Sequence, residues 1–384
     1  MRVALIGNYP LDSTRIHGGV QAAFAYLVKG LCQIEDLQVH ILTLGGHNLS
    51  GQGQVKQNGA TLHLLPGLPR FELARNYRTY QSYVNHRLAQ IQPGVVHAQD
   101  ATEHAYVALR SGYPTVITVH GIRREDSKHV SSFVRRARNR VYNLLIERYN
   151  LRHTRRLIAI SRYVTDYFSS LLRPDVQVYY VPNAIDGNFF ELANTSDGRT
   201  LLFAGRVIPR KRVLDLIRAF ARIARQVPLA QLRIAGECSS EPSYVESVRR
   251  FIQKANLEDC VHLLGALSEE TVLHEFAGCD VLALPSAQET APMVIAQAMA
   301  AGKPVVATRV GGVAEMVSDG ETGFLVEVGD IDGLADALLR LLRDPPLRAR
   351  MGQSGRKFAV ENYHANTVAK HTYDVYRKIA ATGR

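Results

Sequence analysis

The sequence predicts an α/β protein built from two doubly wound parallel sheets, and three observations carry that expectation. Short runs rich in Val, Ile and Leu alternate with stretches of helical periodicity along nearly the whole chain, the pattern of right-handed βαβ units. The alternation stops once, in a turn-rich interval between Val181 and Arg199, and then restarts. The 384 residues also exceed the ~250–300 that a single hydrophobic core usually organises.

Taken in order, the first half shows strands at 3–7, 38–44, 61–65, 95–98, 115–119, 156–160 and 177–181. Helical patterns fill most gaps between them, at about 19–34, 71–91, 101–111, 130–152 and 161–171. The interval that follows contains Pro182-Asn-Ala-Ile-Asp-Gly187 and Asn194-Thr-Ser-Asp-Gly198, a connector composition. The domain boundary is set there, giving an N-terminal unit 1–185 and a second unit 186–365. The second unit has strands at 200–204, 231–235, 260–264, 280–284, 304–308 and 323–326, with helices between them. The tail, 366–384, reads as an amphipathic helix whose apolar side is Val368, Tyr373, Val375, Tyr376 and Ile379. With no strand after it, it is expected to dock as a strap reaching back across both units. Two such sheets in tandem enclose a cleft between their carboxyl edges, a preferred ligand location.

The net charge of +11 and pI near 9.5 favour an anionic partner: nucleic acid, anionic lipid or a phosphorylated substrate. No apolar run reaches 18 residues, and the first strand begins at Val3, which predicts neither a leader nor a membrane span and points to a cytoplasmic protein. Cys32, Cys238, Cys260 and Cys279 form no Cys-x-x-Cys pair, so neither a zinc site nor a disulfide framework is expected.

The most informative stretch is 279–308. Residues 281–284 end at Pro285 as a buried strand, Pro292 to Ala301 is a small-residue helix stopped by Gly302 and Pro304, and 305–308 is a second strand. Pro292 suits the first helical position. The amides of Ala291, Met293 and Val294 would then point into the cleft as an anion site. Glu289 lies in the loop before them, either capping its own helix or binding a ligand. Gln297 is the only polar side chain in that helix, and its buried amide needs partners from backbone or ligand.

Other candidates lie at strand ends. Gly18-Gly19 opens the first helix, where glycine lets backbone approach a ligand or simply turns the chain. No Gly-x-Gly-x-x-Gly follows a strand, and Gly51-Gln-Gly53 sits in a polar loop, which discounts nicotinamide and flavin cofactors. Arg206 leaves the strand 200–204 and Lys211 begins the next helix; together they suit a diphosphate. His120 ends the strand 115–119 and is followed by Gly121, so it can exchange a proton or hydrogen bond in the cleft. Asp330 or Asp332, at the start of a helix, reads as an N-cap rather than a metal ligand.

Arg123 to Arg156 holds eleven Lys and Arg, among them Arg123, Arg124, Arg135 and Arg136, against three acids, a balance of +8. Phe133, Val134, Ala137, Val141, Leu144, Leu145 and Tyr149 interleave at helical spacing. The segment is either an attachment face for anionic lipid or a solvated surface. Nucleic acid is disfavoured because no binding motif accompanies the charge.

Gly18-Gly19, Thr118-Val-His120-Gly121, Ile160-Ser161, Val181-Pro-Asn-Ala-Ile-Asp186, Gly205-Arg206 with Lys211, Ile234-Ala-Gly236, Leu264-Gly265, Glu289 to Gly302, Gly311-Gly312 and Thr322-Gly323 occur in this order. The collection resembles the retaining glycosyltransferases of the GT-B fold, family 4, over nearly the whole chain. The resemblance implies two Rossmann-like domains, the first facing an acceptor and the second holding a UDP- or GDP-linked sugar. It implies that Glu289 binds hydroxyls of the transferred sugar, that position 297 holds the ribose, and that Arg206 and Lys211 neutralise the leaving diphosphate. Gly19, Gly236 and the amides of Ala291, Met293 and Val294 would complete the donor site, with His120 lining the sugar and acceptor side. Neither a metal nor any cofactor beyond the donor is implied. The acceptor would be a glycan or lipid-linked molecule, and the basic segment would seat the enzyme peripherally on the inner membrane face. This chain departs from the family's Glu-x7-Glu pair at Gln297, whose amide offers one acceptor oxygen and donors where a carboxylate would accept twice. A non-catalytic binding homologue that lost activity with the second Glu, and a sugar-nucleotide epimerase of the same fold, are the alternatives.

Overall fold

The computed structural model describes residues 1–12, 18–45, 54–128 and 133–382, without the side chains of 133–135. Gly51-Gln-Gly53 and the first residues of the helix expected at 130–152 lie outside them. Two sheets carry the molecule. The first comprises β1 (Arg2–Ile6), β2 (Gln38–Leu44), β3 (Gln54–Gln57), β4 (Ala60–Leu65), β5 (Val95–Gln99), β6 (Thr115–Val119), β7 (Arg156–Ala159) and β8 (Gln177–Tyr180). Its order is β3-β4-β2-β1-β5-β6-β7-β8, and every pairing is parallel except β3 with β4.

The second sheet comprises β9 (Thr200–Ala204), β10 (Gln231–Ala235), β11 (Val261–Gly265), β12 (Val281–Leu284), β13 (Val305–Thr308) and β14 (Gly323–Val326), in the order β11-β10-β9-β12-β13-β14 and wholly parallel. Its strands are apolar because helices cover both faces; every residue of β9, β12 and β13 is buried. In each sheet the strand order reverses once, between β1 and β5 and between β9 and β12. Those reversals open crevices at the carboxyl ends.

Four local features differ from expectation, each for a physical reason. β3 is an added antiparallel edge strand; its polar Gln-Val-Lys-Gln carries no alternation, but Asn58 (φ 51°) and Gly59 (φ 85°) form the tight turn that pairs it with β4. The helix expected at 71–91 begins only at Arg78, because Phe71, Asn76 and Tyr77 take positive φ and turn the preceding chain. The segment 133–153 is helical but opens into a π turn at Asn143–Glu147. Pro292 is a cap rather than the first helical residue: its φ of −69° suits a helix, but its ψ of 118° remains extended, and the helix starts at Met293.

The chain crosses between the sheets twice. Ile185 donates from its N to Tyr363 O at 2.7 Å and Ala365 N donates to Ile185 O at 3.0 Å, so the two crossings are tied to each other. Before the second crossing the helix Pro345–Asn362 packs on Met293–Ala300; after it, Ala365–Thr382 packs on Gly19–Leu31. Gly30 makes that last contact close, since a Cβ there would lie 2.4 Å from Ala365 O. The expected strap is therefore a helix seated on the first lobe, continuous with one seated on the second.

Candidate functional site

At the crevice between β9 and β12, two loops leave the sheet side by side. Gly205 (φ 153°) and Gly236 (φ 154°) let them stack backbone to backbone, for a Cβ on Gly236 would stand 1.9 Å from Gly205 O. Pro209–Lys211 then forms a tight turn, and the helix begins at Val213 rather than at Lys211, after Arg212 with φ 50°. This turn swings Lys211 inward, where its Nζ lies 2.5 Å from Glu289 Oε1. Both side chains are buried.

Arg210 joins them from the same turn. Its guanidinium donates to Gln288 O at 2.7 Å and lies 3.4 Å from Glu289 Oε2 and 3.5 Å from Asp126 Oδ1 of the first lobe. Sequence reading missed Arg210; its neighbours Lys211 and Arg212 left nothing to mark it as the member that crosses the cleft.

Glu289 does not cap its own helix, which has no side-chain cap. Burial alone would raise its pKa, but the charges of Lys211 and Arg210 and the Lys211 hydrogen bond outweigh burial and hold it below the usual carboxylate range. Burial lowers the pKa of Lys211, with Glu289 pulling the other way. The loop carrying Glu289 is pinned from behind: Cβ atoms on Gly311 and Gly312 would fall 1.8 Å from Glu289 O and 2.0 Å from Thr290 O. Such contacts admit only glycine.

Around this pair lie further polar groups, of which Arg206 and Gln297 make no side-chain hydrogen bond or ion pair among the described residues. Arg206 is exposed at the end of β9 and close enough to act on the charges of Asp126 and Lys211. Ser286 is turned toward Glu289 and adds to the lowering of its pKa, and Gln288 is turned toward the Tyr163 hydroxyl. Gln297 is 8% exposed, and no hydrogen bond engages its side chain within the described part of the molecule. Met293 and Val294 open their helix uncapped, and Ala291 precedes it. Gly18 (φ 82°) likewise opens an uncapped helix at Gly19, whose Cβ would sit 3.8 Å from Met293 Sδ. Two helix N-termini without a side-chain cap among the described residues thus converge from opposite lobes, which concentrates positive potential in the cleft.

On the facing lobe His120 is hydrogen-bonded through Nε2 to Gln99 Oε1 (2.8 Å) and through Nδ1 to Asn183 Oδ1 (3.0 Å). Burial lowers its pKa, and Asp100 raises it. Asn183 also donates to Ala291 O at 3.5 Å, and Ser161 Oγ donates to Thr290 O at 3.2 Å. Glu315 accepts from the N of Arg162 and of Tyr163 at 2.7 and 2.8 Å. The loops of the second lobe are therefore gripped by the first.

The four arginines of the basic segment separate. Arg123 is committed inward, over the Tyr142 ring at 4.9 Å and 3.8 Å from Asp100. Arg124 and Arg136 are exposed, and the side chain of Arg135 lies outside the described residues. Val141, Leu144 and Leu145 are 50%, 54% and 55% exposed. Asp330 caps the helix Ile331–Arg343 by accepting from Gly333 N at 2.8 Å, as its position suggested.

Comparison with known proteins agrees with this arrangement. The Glycosyltransferase Family 4 model matches residues 17–189 and the Glycosyl transferases group 1 model matches 185–358. Glycogen synthase of Mycobacterium tuberculosis is 30% identical over 74% of this chain and 69% of its own. N-acetyl-alpha-D-glucosaminyl L-malate synthase of Bacillus anthracis is 28% identical over 60% of this chain, and the match spans 61% of that relative. Among solved structures, sucrose-phosphate synthase from Thermosynechococcus elongatus superposes with a TM-score of 0.83 at 22% identity, covering 100% of both chains, a likeness of fold. With the two family models falling in turn on the two sheets, the chain belongs to the GT-B glycosyltransferases of the family 4 type.

Proposed function

We propose that the protein is a retaining glycosyltransferase that moves a sugar from a UDP- or GDP-sugar to a hydroxyl of a glycan or lipid-linked acceptor at a membrane surface. The observation that carries this reading is the buried Glu289 held by Lys211 at 2.5 Å in the β9/β12 crevice, beside a helix with no side-chain cap and Arg206, which makes no ion pair among the described residues. The diphosphate occupies the space between the helix starts at Gly19 and Met293, with Arg206 and Lys211 as its cations, where preorganised charge stabilises a leaving anion. As Lys211 turns toward phosphate, Glu289 becomes free to accept from the sugar hydroxyls. Gln297 meets the ribose with one acceptor and one donor.

In the reaction, the bond from the anomeric carbon to the phosphate oxygen breaks and a bond to the acceptor oxygen forms on the same face. The acceptor proton passes to the departing phosphate, so configuration is kept. His120 lines the sugar and acceptor side. Arg124 and Arg136, with the outward Leu144 and Leu145, face anionic lipid and present a membrane-borne acceptor. Retained turnover with any donor would exclude a purely binding homologue, the reading that Gln297 otherwise favours. A ligand that binds only the native state must stabilise it. Saturating UDP or GDP should therefore raise the melting temperature; no shift with either would remove the donor site.

A further inference from the structure

Behind His120 lies a buried polar chain that the reading above does not use. His97, on β5, is fully buried. Its Nδ1 lies 2.6 Å from the Tyr376 hydroxyl on the C-terminal helix, and its Nε2 lies 2.6 Å from Thr118 Oγ1 on β6. Gln99, 2% exposed, lays its amide nitrogen over the His97 ring, 3.2 Å from Nε2 and 3.4 Å from Nδ1, and places its oxygen 2.8 Å from His120 Nε2. Gln99 and Thr118 are register partners at the carboxyl ends of β5 and β6. Gly7 accommodates Gln99, since a Cβ there would come 2.8 Å from Gln99 Cβ. A cavity of about 20 Å³ adjoins the chain, room for about one water.

The chain fixes a proton. Burial pushes the His97 pKa down to about 3, so its ring stays neutral, and each nitrogen has a hydroxyl that can either donate or accept. Gln99 presents its amide oxygen to His120 Nε2 at 2.8 Å, and facing that acceptor the nitrogen carries hydrogen. The other side is adaptable: half-buried Asn183 sets its oxygen 3.0 Å from His120 Nδ1 and its nitrogen 3.5 Å from Ala291 O, in the loop that carries Glu289, and its amide turns over to donate to Nδ1 of the neutral ring. Asn183 is thus the partner that a ligand can replace.

We propose that Gln99 is a positioning residue that sets the tautomer and direction of His120, and that Tyr376 and His97 make the C-terminal helix part of the same framework. The step from position to turnover rests on the placement of His120 at the sugar and acceptor side; the claim about the proton does not. Asp100 and neutral His97 are the titratable groups that face His120.

Full-length protein and the variants Gln99→Leu, Gln99→Glu and Tyr376→Phe are compared by 15N NMR of the imidazoles, with His120→Asn assigning the signal. The wild type should show the Nε2–H tautomer at His120. Gln99→Leu should populate the other tautomer and lower its titration point, Gln99→Glu should raise that point, and Tyr376→Phe should move it in the Leu direction. Nucleoside diphosphate release from UDP-glucose and GDP-mannose should fall roughly tenfold to a hundredfold in kcat for Gln99→Leu, with donor KM unchanged and the acid limb moving upward in Gln99→Glu. An unchanged His120 titration in both Gln99 variants overturns the proposal, and an unchanged one in Tyr376→Phe removes the helix from it. If the wild type turns over no donor, the transferase reading fails while the tautomer result still decides this one.

Discussion

Glu289 and Lys211 form a pair that is useful because it is incomplete. Two buried charges hold each other at 2.5 Å, yet Gln297 in the helix that follows makes no side-chain hydrogen bond among the described residues. A polar group without a protein partner costs stability when buried, which leaves Gln297 open to a ligand in the proposed reading. Gln297→Glu should tighten binding of the nucleoside diphosphate that stabilises the wild type, by adding an acceptor for the second ribose hydroxyl; isothermal titration giving an unchanged Kd would make the amide structural. Glu147 provides a pH test. Burial, reinforced by Asp100, lifts its pKa from 4.5 to about 7. The folded state therefore holds a proton that the unfolded state has lost between those values. The resulting penalty is absent below pH 4.5, grows up to about 7 and is full above it, at about 3 kcal/mol. Glu147→Gln should accordingly gain stability on the wild type at pH 8 and not at pH 4, read by urea unfolding. Glu289, Lys211 and Arg206 were legible in the sequence because they stand at strand ends. Arg210 and Gln99 were not, because a partner 79 positions away on another loop, or a histidine 21 positions away on the neighbouring strand end, leaves no local pattern.

At the level of elements, the parallel strands were legible because each is a short apolar run, buried on both faces. β3 was not, since an edge strand facing water needs no such run. The helix around residues 133–148 shows the opposite case: its periodicity was visible, but which side would be buried was not. The π turn at Asn143–Glu147 buries Ile146 and Glu147 and leaves Leu144 and Leu145 outside. Beside exposed Arg136 and Arg148, these leucines suit a lipid surface better than water. Flotation with liposomes containing anionic phosphatidylglycerol should carry the protein upward, and Leu144→Asp with Leu145→Asp should weaken this at least severalfold. Equal flotation with neutral phosphatidylcholine would return the segment to a solvated face.

At the level of the whole molecule, two lobes are joined by crossings that are hydrogen-bonded to each other at Ile185 and Tyr363. Contacts across the cleft, from Asp126 to Arg210 and from Asn183 to Ala291, place the residues of the first lobe against the loop of Glu289. The tandem sheets could be anticipated from the alternation of runs, but not how the cleft is latched, which depends on side chains from both halves. The account assigns the chemistry to this cleft and its electrostatics to Glu289. The most direct test is nucleoside diphosphate release from a panel of UDP- and GDP-sugars by the wild type and by Glu289→Ala, with melting temperatures measured alongside. The account predicts release by the wild type for at least one donor and a loss of about a hundredfold or more in a folded Glu289→Ala protein. Equal release by the two would contradict it.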